Sequence, residues 1–390
     1  MIIGIVGKPN SGKSTFFKAL TLAEVEIANY PFTTIKKNEG IAYVRVSCVE
    51  QEFGVKCKPK LGYCVGGQRF IPIKIIDVAG LVPGAHKGKG RGNQFLDDLR
   101  EADVLIHVLD ASGRTDAEGK PTTGYNVLEE VKFLQDEIDL WMHEIIGRNW
   151  QRFSRKVHGE RMKLSEELAK QLSGLKIRED QIKKVMLELD LSETPLEWTE
   201  EHLLEFTRRL RKETKPIIIA ANKSDTSESS ENLKTLRDFA AIPCSAESEL
   251  ALREAAKHQL IKYVPGNSDF ELLGSLNETQ EKALSVIKSR VLEKYGNAGC
   301  QQVLNEAVFK ILKRITVYPV ENENKLSDSY GNVLPDALLL PRNSSALNLA
   351  EAIHSDIAKN FVAAIDGRSK RRLPRDYVLK NGDVIRILTR

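Results

Sequence analysis

Apolar residues along the chain fall into three textures. In the first 110 or so residues they form short, almost continuous runs, Met1–Val6, Lys74–Val78 and Val104–Leu109, separated by glycine-rich loops. Pro216–Ala221 and Phe239–Pro243 repeat the pattern later. Runs of this length predict strands buried on both faces, as in a parallel sheet covered by helices. The helical pattern Ser14–Leu22 behind the first run predicts the βα start of an α/β fold. From about residue 126 to 213 the period changes, and Glu, Lys, Arg and Leu dominate. Leu164, Leu168, Leu172 and Leu175, then Ile182, Val185, Met186 and Leu189, recur at helical spacing. They predict two or three amphipathic helices in a coiled-coil-like hairpin. Thr194-Pro195-Leu196-Glu197 reads as a capping box that opens a further helix. Such an insertion can pack on itself or serve as a partner-binding arm.

After Ser248 the pattern predicts helix to about Lys313, with a turn at Gly296 and Gly299. Beyond Ile315 it shifts again. ITVYPV and Asp336–Leu340 read as strands, Ser345–Ile357 as a helix with Leu347, Ala350 and Ile353 on one face. Asp376–Leu379 and Asp383–Leu388 read as two more strands around the turn dipeptide Asn381-Gly382. Two strands, a helix and two strands suggest a small β-grasp-like domain. The expected division is a nucleotide-binding domain over 1–268 interrupted by the helical insertion 126–213, a helical connector 269–312, and a β domain 313–390.

Composition narrows the class without choosing a function. Of 390 residues, 41% are apolar and 29% charged, as in ordinary globular proteins. No apolar run approaches the ~20 residues that span a bilayer, so no membrane role is expected. The N-terminus lacks a basic n-region, which argues against a signal peptide. Five scattered cysteines do not make a disulfide framework and point to a reducing cytoplasm. Cys57 and Cys64 flank Gly62 without a second Cys or His pair, which argues against a zinc site. With 58 Lys+Arg against 54 Asp+Glu the net charge is +4, too small to identify a partner.

Three motifs carry chemistry. Gly7-Lys8-Pro9-Asn10-Ser11-Gly12-Lys13-Ser14 fits G-x-x-x-x-G-K-[ST], follows a strand and opens a helix at Ser14 and Thr15. Converging backbone N–H groups cradle a triphosphate, Lys13 reaches its β- and γ-phosphates, and the Ser14 hydroxyl suits Mg²⁺. Asp77-Val78-Ala79-Gly80 ends another strand, where Asp77 can hold Mg²⁺ through water and the Gly80 N–H can approach the γ-phosphate. Asn222-Lys223-Ser224-Asp225 follows the strand Pro216–Ala221. Asp225 can accept hydrogen bonds from N1–H and the exocyclic amine of guanine, donors that adenine lacks, each worth roughly 1.5–3 kcal/mol. Asn222 would tie this loop to the phosphate loop, and the Lys223 stem would cover the base. A backbone N–H from Cys244-Ser245-Ala246 can reach the guanine O6.

These residues resemble the G1, G3, G4 and G5 elements of a Ras-like GTPase. The closer resemblance is to the Obg/YchF group of translation-associated GTPases. It rests on Tyr30-Pro31-Phe32-Thr33-Thr34 and on the glycine-rich stretch from Asp77 through Gly84-Ala85-His86-Lys87-Gly88-Lys89-Gly90-Arg91-Gly92 to Leu96. The C-terminal segment, with Asp336-Ala337-Leu338-Leu339-Leu340, Ala350-Glu351-Ala352-Ile353-His354 and Lys380-Asn381-Gly382-Asp383-Val384-Ile385, is similar to the TGS domain. The resemblance implies a Ras-like P-loop G domain, a helical insertion as in the YchF branch, and a ubiquitin-like β-grasp domain.

It implies a slow, Mg²⁺-dependent monomeric switch that turns GTP into GDP and associates with ribosome or rRNA. Many YchF proteins carry an altered guanine motif and favour ATP, whereas Asn222-Lys223-Ser224-Asp225 is intact. The alternatives are an ATPase, or a ribosome-binding scaffold with nucleotide as a structural ligand. Thr33 and Thr34 both offer the switch I hydroxyl for Mg²⁺ and the γ-phosphate; Thr34 is carried as ligand beside Ser14 and Asp77. Lys13, Asn10, Thr34 and Gly80 form the expected catalytic set.

The residue after D-x-x-G is Leu81, not the water-orienting Gln of many GTPases. Intrinsic hydrolysis is therefore expected to be slow. Asn10 resembles the asparagine that helps hold K⁺ between the phosphates in related loops, or it completes the loop's own hydrogen bonds. His86, Lys87, Lys89 and Arg91 are candidates for catalysis or RNA contact, or merely solvate the loop. Arg368, Lys370, Arg371, Arg372 and Arg375 form the densest basic run, either an RNA-phosphate contact or a solvated loop. His107, within an apolar strand, is expected in the core.

Overall fold

The computed structural model describes residues 1–22, 38–78 and 98–390. Tyr30-Pro31-Phe32-Thr33-Thr34, Gly80, Leu81, His86, Lys87, Lys89 and Arg91 lie outside the described residues. Its larger sheet contains β1 (Ile2–Val6), β2 (Glu39–Ser47), β3 (Tyr63–Val65), β4 (Gln68–Asp77), β5 (Val104–Asp110), β6 (Ile217–Asn222) and β7 (Ile242–Pro243). The order is β2-β4-β1-β5-β6-β7, with β3 on β4. β1, β4, β5, β6 and β7 run parallel, and β2 is antiparallel to β4. Every residue of β5 is buried, as expected of a strand covered on both faces. Within Phe239–Pro243 only the last two residues join the sheet. Arg237–Phe239 is a 3₁₀ turn, and Ala240 sits at φ 50°.

Side chains alternate across this sheet and feed two cores. Ile3, Ile5, Ile75, Val104 and Ile106 meet Phe16 and Leu20 of the first helix, and also Cys300, Val303 and Leu304 from the expected connector. Part of that connector is thus a wall of the nucleotide-binding domain. On the other face Val6, Ile76 and Leu105 meet the helical segment. Five α-helices form there, Val127–Gly147, Trp150–Gly159, Leu164–Gln171, Glu179–Glu188 and Glu200–Thr214, where two or three were expected. Leu164, Leu168, Ile182, Val185 and Leu210 join one cluster with the sheet residues rather than a separate two-helix seam. A buried Arg211–Asp139 pair at 2.7 Å binds the first of these helices to the last.

The capping box is displaced. Thr194-Pro195-Leu196-Glu197 makes only a 3₁₀ turn, and Thr199 caps Glu200–Thr214 by accepting from the His202 N–H. Trp198 explains the break. It is extended, buried against Trp150 and Phe206, and donates Nε1–H to the Ser192 carbonyl at 2.8 Å. The stretch after Ser248 is also less helical than expected, because β8 (Ile261–Lys262) and β9 (Glu271–Leu272) form a small hairpin. Gly299 does mark a turn. At φ 83°, a Cβ there would sit 2.1 Å from the Pro243 carbonyl oxygen.

The C-terminal sheet contains β10 (Arg314–Val320), β11 (Leu338–Pro341), β12 (Phe361–Asp366), β13 (Arg372–Leu373) and β14 (Asp383–Thr389), ordered β11-β10-β14-β12-β13. Helix Ala346–Ile353 closes the core through Ala346 and Leu349. The expected strand at Asp376–Leu379 is not in the sheet. Its backbone runs beside the helix cap, where the Ala346 N–H donates to the Tyr377 carbonyl and the Leu379 N–H to the Ser344 carbonyl. β12, with its small buried Ala363 and Ala364 on opposite faces, takes the sheet position instead.

Candidate functional site: a nucleotide cleft at the carboxyl edge of the sheet

Parallel strands deliver their C-terminal residues to one edge, where ligands bind in open α/β sheets. The register places Ile5 beside Asp77 and Asp110 beside Asn222, so the phosphate loop, Asp77 and the Asn222 loop share that edge. Gly7 is required by close approach, since a Cβ there would lie 2.5 Å from the Val108 carbonyl oxygen. Gly12 is required twice over. Its φ is 90°, and a Cβ would meet Asn222 Nδ2 at 2.2 Å.

Asn222 joins three motifs. Nδ2 donates to the Ser11 carbonyl at 2.9 Å, and Oδ1 accepts from the Ala246 N–H at 2.9 Å. The Ser245 N–H donates to the Ala298 carbonyl at 3.0 Å, and Ser245 Oγ caps helix Ala246–Lys257. Neither the Ser245 nor the Ala246 amide therefore stands free for a guanine O6; that contact requires exchange of a bond already made. Lys223 Nζ bonds the Asn10 carbonyl at 2.7 Å and Asp110 at 2.9 Å. Gly12, Thr15, Asn222, Lys223, Asp225 and Ser245 line the resulting cleft.

Asp110 is a hub that motif reading missed. It accepts from Ser112 Oγ at 2.5 Å and from Thr115 Oγ1 at 2.6 Å, besides Lys223. Burial pushes its carboxyl up, but the Lys223, Ser112 and Thr115 bonds outweigh this and hold it below the usual range. An acid closing an apolar strand, followed by Ser112, was the available signal. The Lys8 side chain turns away from the cleft, bonding the Thr115 carbonyl at 2.7 Å and buried Glu130 at 2.8 Å. His107, buried as expected, faces the same Glu130 at 3.7 Å. Pro9 and Asn10 are exposed; Asn10 Nδ2 donates to the Gly119 carbonyl at 2.9 Å, outside the phosphate loop.

Lys13 Nζ bonds Asp77 Oδ1, and the Val78 carbonyl at 2.7 Å. Exposed Ser14 follows Lys13 directly. A hydroxyl and a carboxylate are both hard oxygen donors, the kind Mg²⁺ prefers. Of the basic run, Arg368 is committed elsewhere, to Glu52 at 2.5 and 2.7 Å and over the Phe53 ring. Lys370 bonds the Glu323 and Gly367 carbonyls. Arg371, Arg372 and Arg375 are exposed. The cysteines are less scattered than their spacing suggested, since Cys48, Cys57 and Cys64 converge with Glu50. No helix among the described residues is long and apolar enough to cross a membrane.

A family described as 50S ribosome-binding GTPase matches residues 2–143. The G4 motif-containing domain of the Obg-like GTPase YGR210-like family matches 220–322, and the TGS domain matches 330–389. Fold and cleft together define a P-loop GTP-binding protein with a C-terminal TGS domain. The chain is 50% identical, over 394 residues, to an uncharacterized GTP-binding protein of Methanocaldococcus jannaschii, covering 100% of this chain and 99% of that one. It thus belongs to the Obg-like, YchF-related family. A crystal structure of a GTP binding protein from Pyrococcus horikoshii is 38% identical with a TM-score of 0.81, covering 100% of both chains. The ribosome-binding ATPase YchF of Buchnera aphidicola subsp. Schizaphis graminum is 28% identical over 365 residues, 93% of this chain and 86% of that one.

Proposed function

We propose that the chain binds GTP and hydrolyses it slowly to GDP and phosphate, as a Mg²⁺-dependent switch that engages the ribosome. The observation that carries the reading is Asp225 lining a cleft continuous with Gly12 and Thr15 of the phosphate loop. A carboxylate there matches the two donors on the edge of guanine. Adenine would leave it unpaired, a preference of roughly 1.5–3 kcal/mol per bond. Lys13 would exchange Asp77 for the β- and γ-phosphates, and Ser14 and Asp77, with Thr34, would hold Mg²⁺, which supplies charge neutralisation. Leu81 in place of a water-orienting Gln supports a low intrinsic rate. A ribosomal partner is supported by the family match and by exposed Arg371, Arg372 and Arg375. ATP is the second reading, favoured by the ATPase named among the relatives.

Competition titration of GTP against ATP, with multiple-turnover phosphate release, tests the proposal. GTP should win by at least about tenfold, and Asp225→Ala should erase the margin. Lys13→Ala should lower turnover by roughly a hundredfold or more without unfolding the chain. Preferred ATP binding would replace GTP in the scheme. Undetectable turnover would leave nucleotide as a structural ligand.

A further inference from the structure

Cys48, Glu50, Cys57 and Cys64 are spread over 17 residues, yet their ligand atoms all lie within 4.8 Å of one another. The local fold brings this about. β2 ends at Ser47, and the Cys48 N–H donates to the Gly67 carbonyl at 2.8 Å. The turn Glu50–Phe53 and Gly54, at φ 63°, reverse the chain toward Cys57. Gly62 then steers it into β3, which carries Cys64; a Cβ on Gly62 would lie 2.0 Å from the Phe70 carbonyl oxygen.

The spacings suit a four-coordinate ion. Cys48 and Cys57 sulfurs are 3.8 Å apart. Two sulfurs each about 2.3 Å from a tetrahedral zinc are separated by about 3.8 Å. Cys64 Sγ lies 3.3 Å from Glu50 Oε1, while Glu50 Oε2 accepts the Cys57 N–H at 2.8 Å, fixing the carboxylate's orientation. Cys48 and Cys57 are buried, and Cys64 and Glu50 half-buried. Gathering three thiolates beside a carboxylate in so buried a place is costly unless a cation neutralises them.

We propose that Cys48, Glu50, Cys57 and Cys64 form a structural zinc site. Three soft thiolates and one carboxylate select Zn²⁺ over Mg²⁺, and four protein ligands close the site to substrate. Its place gives it a task. Val49 and Cys57 pack against Tyr318, Val320, Leu334 and Val384 of the C-terminal domain. The Lys58 and Lys60 N–H groups donate to the Val333 and Pro335 carbonyls, both at 2.8 Å. Zinc would hold the 48–64 loop in the shape that receives the TGS domain.

Untagged full-length protein purified without chelator should carry about one zinc per chain. Cobalt substitution should produce a thiolate-to-cobalt charge-transfer band. Glu50→Gln should weaken zinc by about 10- to 100-fold, and Cys64→Ser by more, with nucleotide binding retained as evidence of a folded G domain. Absence of both bound zinc and the cobalt band in wild-type protein would overturn the proposal. So would zinc retained in full by a folded Cys48→Ser/Cys64→Ser double variant, or a Cys48–Cys57 disulfide in protein kept under reductant.

Discussion

The nucleotide cleft and the seam between the G domain and the TGS domain both join segments far apart in the chain, with opposite chemistry. At the cleft, side chains of one loop grip the backbone of another: Asn222 to Ser11 and Ala246, Lys223 to Asn10. Asn222, Lys223 and Asp110 are already bonded there, while the buried Ser11 and Ser224 hydroxyls have no hydrogen-bond partner among the described residues. At the seam, apolar packing around Tyr318 and Leu334 is joined by backbone bonds from Lys58 and Lys60, and one fully buried arginine pins it. Arg69 donates to the Leu334 carbonyl at 3.1 Å and the Pro335 carbonyl at 3.0 Å. The first surface lines an open cleft, the second meets a neighbouring domain.

Four measurements can break or sharpen this contrast. The largest effect is expected from Asn222→Ala, which orphans the Ser11 carbonyl and the Ala246 N–H. Denaturant unfolding should show a loss of roughly 3 kcal/mol, with nucleotide affinity falling alongside. Arg69→Met should cost about 2–3 kcal/mol and speed proteolysis between the domains while leaving nucleotide affinity nearly unchanged. Equal damage to nucleotide binding by both variants would erase the distinction. Turnover in KCl should exceed that in NaCl at equal ionic strength by about tenfold if Asn10 helps hold K⁺; equal rates would leave Asn10 as a loop tie to Gly119 alone.

The smallest effect concerns Lys215, which donates to the Arg100 and Ala102 carbonyls at the base of the sheet. Burial lowers its pKa to about 8. Above that pH the native state has released a proton that the unfolded chain still holds, so stability rises with pH until the ordinary lysine value is reached. The gain should be about 1 kcal/mol between roughly pH 7 and 9. In Lys215→Met that portion of the slope should vanish.

The same contrast explains what was legible. Gly7, Gly12, Lys13, Asn222 and Asp225 fall in short motifs whose spacing is read directly from the chain, and parallel strands announce themselves by being apolar on both faces. Asp110 escaped because Lys223, its distant partner, reaches it only once β5 and β6 are in register; Ser112 and Thr115 are local partners. The five-helix face escaped because Leu164 and Val185 carry a helical period whether they face one another or the sheet. The Cys48, Cys57 and Cys64 cluster escaped most completely, since irregular spacing of 8 and 6 intervening residues converges only through Gly54 and Gly62. Trp198, drawn into the core, moved the cap from Thr194 to Thr199.

The Arg69 pin has a consequence for synthesis. Its acceptors lie 265 and 266 residues downstream. At about 5–20 residues per second, the ribosome takes roughly 15–50 s to supply them. Most of that interval also supplies the rest of the G-domain core, which runs to Val308. Only the last stretch, roughly 1–5 s at the same rate, would leave a completed G domain presenting an unpaired guanidinium beside an uncovered apolar face.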